Sequence, residues 1–136
     1  MIKFSGIIIT YNEESKIEKC LNSLLPVVDE IVVVDSFSTD NTKSICQRYN
    51  VKFIERKFTD YVTQKNFALE LAKYDHIVSL DADEVLSEKL QNNIKALKTN
   101  WEFDGYVTRR LNYFRGQWIK HTTWSPDYKI RIFDRR

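Results

Sequence analysis

Three short polar runs hold most of the side chains able to do chemistry: Thr10-Tyr11-Asn12-Glu13-Glu14, Asp35-Ser36-Phe37-Ser38-Thr39-Asp40 and Asp81-Ala82-Asp83-Glu84. The third is the richest in charge. Asp81, Asp83 and Glu84, with Asp75 a few residues earlier, crowd carboxylates that repel one another and would repel a phosphate. A hard cation relieves both repulsions. Mg²⁺ or Mn²⁺ takes oxygen ligands and is usually shared between one or two carboxylates and substrate phosphates. An Asp-x-Asp spacing in an extended segment puts both carboxylates on one face. The same residues also read as the acidic first turn of a helix. Thr10 and Asn12 likewise read as turn and cap residues, and Asp35 as a strand end. Each run alone leaves both readings open.

The elements around these runs bring them together. Phe4 to Thr10 is nearly all apolar and β-branched, as is Ile31 to Val34, which suits strands buried on both faces. Val51 to Ile54 and His76 to Leu80 read as the third and fourth strands. Between them lie helical patterns: Glu13 to Leu25 stopped by Pro26, a helix carrying Ile45, Cys46 and Tyr49 and capped by Ser38 or Asp40, Tyr61 to Lys73, and Ser87 to Leu97 with Ser87 as cap. Alternation of this kind predicts an α/β fold with a mainly parallel sheet and helices on both faces. Right-handed crossovers then point every strand's carboxyl end the same way, so the three polar runs share one edge. After Asn100 the chain turns β-rich and aromatic, with strands read at Gly105 to Leu111, Trp118 to Lys120 and Asp127 to Phe133. Residues 1–136 read as one domain, with βα units over 1–100 and a β-rich extension of the sheet over 101–136.

Bulk properties exclude several classes. With 136 residues, three Gly and two Pro, the chain is neither linker-rich nor disordered in composition. A net charge of +2 gives no reason to expect a nucleic-acid partner. Cys20 and Cys46 fall in helical patterns beside apolar residues and read as core thiols in a reducing compartment. No apolar run is long enough to span a bilayer, and the N-terminus lacks a signal-peptide pattern, so the expected location is the cytoplasm or the cytoplasmic face of a membrane.

The runs Ile-Ile-Ile-Thr-Tyr-Asn-Glu-Glu, Ile-Val-Val-Val-Asp-Ser-Phe-Ser-Thr-Asp-Asn-Thr and Ser-Leu-Asp-Ala-Asp-Glu resemble glycosyltransferase family 2. The stretch Gly116 to His121, followed by Trp124 to Phe133, is similar to a bacterial subgroup that adds glucose in the lipopolysaccharide core. The resemblance implies the GT-A fold, a UDP-sugar donor, a divalent metal (Mg or Mn) and inversion at the anomeric carbon. It implies donor contacts at Thr10, Tyr11, Glu13, Asp35, Lys65 and Asp81, with Gln64-Lys65-Asn66 at a helix position facing the nucleotide. It puts the metal on Asp83 and Asp81, Asp83 being the usual ligand. Trp118, His121 and Trp124 fall on the acceptor side, where aromatics can stack on sugar rings, although sheet packing explains the tryptophans equally. A lone His121 is no zinc site.

The implied reaction needs a general base for the acceptor hydroxyl. In the family this carboxylate lies past the region matching Ile130 to Phe133. In the subgroup it follows a His, a pair that does not occur here, and Asp127 is a weak substitute. The chain is therefore expected to be the N-terminal portion of a longer enzyme whose base lies beyond Arg136, binding donor with little or no transfer. The expected acceptor is a surface polysaccharide or glycolipid, with the parent enzyme peripheral to the inner membrane. Two alternatives stay open: a non-catalytic sugar-nucleotide-binding domain, which could associate with itself as a homo-oligomer, and sugar-phosphate nucleotidyl transfer. The second lacks its Gly-rich signature after strand one, and a dinucleotide oxidoreductase lacks Gly-x-Gly-x-x-Gly.

Overall fold

The computed structural model describes residues 1–102, 105–109, 112–114, 117–119 and 128–136, with side chains described over 1–102 and 132–136. The elements run β1 (Phe4–Thr10), α1 (Ile17–Leu24), β2 (Glu30–Asp35), α2 (Thr42–Gln47), β3 (Lys52–Glu55), α3 (Tyr61–Leu71), β4 (His76–Asp81), α4 (Glu88–Leu97), β5 (Gly105–Arg109), β6 (Asn112–Phe114), β7 (Gln117–Ile119) and β8 (Tyr128–Asp134). The expected α/β alternation is present. A six-stranded sheet has the order β3-β2-β1-β4-β8-β5, and β6 and β7 form a separate antiparallel pair. The pairs β1–β2, β1–β4 and β2–β3 are parallel, while β8 runs antiparallel to both neighbours.

Helices cover both faces. Phe4 and Ile8 of β1 share one core with Ile17, Cys20, Leu21 and Leu24 of α1, Cys46 of α2 and Ile94 of α4. Ile7 lies in the other core, with Val32, Val34 and Ile77 against Ala68 of α3 and Ala72 just after it. This is the period-2 alternation of a strand feeding two buried faces. Gly6 permits the closest approach: a Cβ there would lie 2.7 Å from Leu24 Cδ2 of α1.

Three expectations about local structure are corrected. α1 begins at Ile17, not Glu13, because Glu13 and Glu14 are held across the sheet edge: their backbone N–H groups donate to Thr42 Oγ1 (2.9 Å) and Asp40 Oδ2 (3.2 Å). Neither Ser38 nor Asp40 occupies the N-cap of α2. Asn41 does, without a side-chain cap bond, while Asp40 accepts from Thr42 N at 2.9 Å and Thr42 Oγ1 at 2.6 Å. Ala82 and Asp83 lie in a turn rather than an extended segment, closed by the Glu84 N–H donating to Asp81 O at 2.9 Å. Ser87 caps α4 as expected, accepting from Leu90 N at 3.1 Å. No helix among the described residues is long and apolar enough to cross a membrane.

Candidate donor-binding cleft

A cleft of about 770 Å³ opens where the carboxyl ends of β1, β2 and β4 meet the first turns of α3. That volume falls within the range of small-molecule sites, roughly 300–1,000 Å³. Parallel strands place their chain ends at one edge, so loops far apart in sequence share a wall. The register shows it directly: Thr10 is level with Asp35, and Ile9 is level with Asp81.

From β1 and the turn after it come Thr10, Tyr11 and Glu13. Thr10 is 6% exposed, and its Oγ1 is buried without a hydrogen-bond partner. A buried hydroxyl in that condition costs free energy unless something enters to satisfy it. Tyr11 is exposed and free to offer its ring. Asn12, with φ of 49°, turns the chain sharply: its Oδ1 accepts from Thr39 N at 2.7 Å, and its N–H donates to Ser38 Oγ at 2.8 Å. The first two polar runs are thereby knitted into one rim.

From β4 come Asp81 and Asp83, both lining the cleft. Glu84 has another task, accepting from the Asp81 N–H at 2.7 Å and bracing the turn. Asp75 belongs just before the opposite end of β4, about 20 Å away at ordinary strand rise, where it pairs with Arg135 at 3.0 Å. The carboxylates at the cleft are thus fewer than the sequence suggests. Lys65 of α3 reaches across to Asp81, Nζ to Oδ1 at 3.7 Å. The Cys20 thiol, beneath this turn, donates to Asp81 O at 3.6 Å and is pushed up to about 12, first by burial and then by the charges of Glu84, Asp83 and Asp81. Burial and then Asp35 push Cys46 up to about 11. Neither cysteine is a nucleophile near neutral pH.

Asp35 does not line the cleft. It is fully buried, and its two carboxylate oxygens accept from Ser38 N (2.8 Å) and Ser38 Oγ (2.5 Å). The next residue, Ser36, lines the wall instead, joined by Gln64, Phe58 and Tyr61. Ser36, Phe58 and Tyr61 were not singled out by the sequence. Their only signal is position, at a strand end and at the start of a helix. Phe58 and Tyr61 pack edge to face, their centroids 5.0 Å apart, and both are exposed. Asn66 is exposed and does not line the cleft. The side chains of Trp118, His121, Trp124 and Asp127 lie outside the described residues. His76 sits within β4 beside Asp134, Nε2 to Oδ2 at 3.7 Å, in a structural setting.

Among the described residues, no group of three or more His, Cys, Asp or Glu side chains converges to cage a metal. Asp81 and Asp83 are nonetheless an all-oxygen pair on one wall. Such a pair fits a hard cation that takes its remaining ligands from a phosphorylated substrate.

Similarity to known proteins agrees with this geometry. Residues 5–136 match the family model "Glycosyl transferase family 2". An uncharacterized glycosyltransferase of Rickettsia felis is 40% identical over 98% of this chain and 44% of its own length. The lipopolysaccharide core biosynthesis glycosyltransferase LpsC of Rhizobium meliloti is 35% identical over 85% of this chain and 44% of its own. The chain thus spans less than half the length of these relatives. Among solved structures, the mannosyltransferase PcManGT of Pyrobaculum calidifontis, in complex with GDP-Man and Mn²⁺, superposes with a TM-score of 0.65 at 26% identity, covering 79% of this chain and 36% of that one. S. aureus TarS 1–349 in complex with UDP superposes with a TM-score of 0.55 at 30% identity, covering 71% and 32%. With its GT-A-like sheet and a family match over nearly its whole length, the chain belongs to glycosyl transferase family 2.

Proposed function

We propose that this chain binds a UDP-hexose, glucose in the first instance, and presents it for inverting transfer to a lipopolysaccharide core or other surface saccharide. One observation carries the reading: Thr10, whose buried Oγ1 has no hydrogen-bond partner, lines a cleft together with Asp81, Asp83 and Lys65. A nucleoside diphosphate suits both features, its nucleoside offering polar groups to Thr10 and its diphosphate matching the charged residues. The UDP-bound and GDP-Man-bound neighbours support a sugar-nucleotide donor, and the likeness to LpsC supports the acceptor class.

Asp81 and Asp83 would hold the divalent cation, which when bound supplies charge neutralisation to the departing diphosphate. Lys65 exchanges its contact with Asp81 for a phosphate oxygen as donor enters. The exposed Tyr11 ring offers a stacking face to the base. In the transfer an acceptor oxygen forms the new bond to the anomeric carbon while the bond to the diphosphate oxygen breaks. The acceptor proton passes to a base that the described residues do not include. The protein's part in this half of the reaction is positioning and charge.

Titration calorimetry with UDP and UDP-glucose, with and without Mn²⁺, tests the reading. Binding is expected to strengthen with Mn²⁺, and Asp83→Ala to remove that gain. Asp83 is exposed, so the variant should stay folded. Tight UDP binding that ignores Mn²⁺ and survives Asp83→Ala would sink the metal assignment. A folded protein that binds no uridine nucleotide would sink the donor assignment.

A further inference from the structure

Gln64 is fully buried, an unusual place for an amide, and each of its polar atoms is used. Arg56 Nη1 donates to Gln64 Oε1 at 3.0 Å. An arginine has donors only, so this contact fixes which end of the amide is oxygen. The Nε2 end must then donate, and it reaches Ser36 Oγ at 3.3 Å and Arg56 O at 3.2 Å. Arg56 is itself pinned, its N–H donating to Asp35 O at 2.8 Å and its guanidinium lying 4.8 Å from the Phe67 ring centroid. The polarity of the chain Arg56–Gln64–Ser36 has one consequence. Ser36 receives a hydrogen bond from inside the protein, so its O–H is not spent on Gln64 and can turn, beside one remaining lone pair, to the cleft that Ser36 lines. The Ser36 N–H donates to Thr10 O at 3.0 Å, which ties this hydroxyl to the strand end bearing the unpartnered Thr10 Oγ1.

We propose that Gln64 is a positioning residue for base selection: held by Arg56 with its donor end toward Ser36, it leaves the Ser36 O–H for the cleft and so supplies the donor that a nucleobase carbonyl needs. The inference rests on the donor-binding reading above and adds to it which buried residue sets the selection and through which hydroxyl. Gln64 does not act on the sugar or the diphosphate, so its substitution changes discrimination between bases.

UDP and CDP make the test, because they differ only along one base edge: uracil has a carbonyl at C4 and an N–H at N3, where cytosine has an amino group and a bare nitrogen. The full 136-residue chain is titrated with each, in Mn²⁺, as wild type, Gln64→Glu and Ser36→Ala. Glutamate keeps the shape and the Arg56 contact but can only accept, so the Ser36 proton turns inward and a lone pair faces the cleft. Wild type is expected to prefer UDP. In Gln64→Glu the UDP-to-CDP affinity ratio should fall about tenfold or more, the scale of one misdirected hydrogen bond. Ser36→Ala should lower the ratio as well, and should Gln64→Glu fail to fold it keeps the buried amide, whose Nε2 still donates to Arg56 O. A wild type that binds both nucleotides equally, or a ratio unmoved in folded Gln64→Glu or in Ser36→Ala, overturns the inference while the donor reading stands. No UDP binding by folded wild type overturns both.

Discussion

Thr10 holds a hydroxyl that the folded chain buries and leaves unpartnered. Replacing it by the isosteric valine removes an unsatisfied polar group, so Thr10→Val should be neutral or stabilising by about 1 kcal/mol in denaturant unfolding. The same change should weaken UDP binding about tenfold by calorimetry, since the ligand loses the partner that waits for it. A stability loss together with unchanged binding would show that the hydroxyl serves the fold. At this scale the sequence identified much of the cleft: Thr10, Tyr11, Glu13, Lys65, Asp81 and Asp83 all line it. It did not separate Asp35 from Ser36. β2 is buried over Ile31–Asp35, so no alternation of polar and apolar residues tells which neighbour lines the cleft. Nor does composition tell Asp81 and Asp83 at the cleft from Asp75 at the far end of the strand. That distinction needs the strand's direction and length.

The elements themselves rest on a few identifiable side chains. Ser87→Ala removes the cap that meets Leu90 N and should destabilise the protein by about 1 kcal/mol in chemical denaturation. Gly6→Ala drives a methyl into buried Leu24 and should cost about 1–3 kcal/mol, because α1 must move off β1. A cost near zero would mean that Leu24 simply changes rotamer. The βα units were legible because each pairs a β-branched run with a helical apolar stripe, such as Ile17, Cys20, Leu21 and Leu24. The start of α1 was not, since Glu13 and Glu14 have good helix propensity but are held by Thr42 and Asp40, a contact no local pattern encodes. Past Asn100 the run read as a strand to Leu111 is a strand over Gly105–Arg109, Arg110 and Leu111 lying outside the described residues, and the short strand Asn112–Phe114 that pairs with Gln117–Ile119 was not anticipated.

For the molecule as a whole, the C-terminal strand is tied down by charge as well as by the sheet. The Asp134 carboxyl is lowered to about 2, chiefly by hydrogen bonds from the Arg136 side chain and backbone. A depressed folded value contributes stability that is complete above the ordinary value of about 3.9 and is lost as pH falls through the folded one. Asp134→Asn should therefore flatten the unfolding midpoint against pH between about 4 and 2, and leave the shape of the profile above pH 5 unchanged. An identical slope in both proteins over the acid window would assign acid sensitivity elsewhere. The sequence announced a β-rich extension of the sheet but not the position of β8, which enters between β4 and β5 although β5 precedes it in the chain. Strand order depends on long-range pairing, which local periodicity does not record. That order also has a consequence in time. The described residues lining the cleft lie between Ile9 and Asp83, whereas β8, which separates β4 from β5, is made later. As the chain leaves the ribosome, the cleft can take shape first, with one flank of β4 bare until Tyr128–Asp134 arrives to cover it.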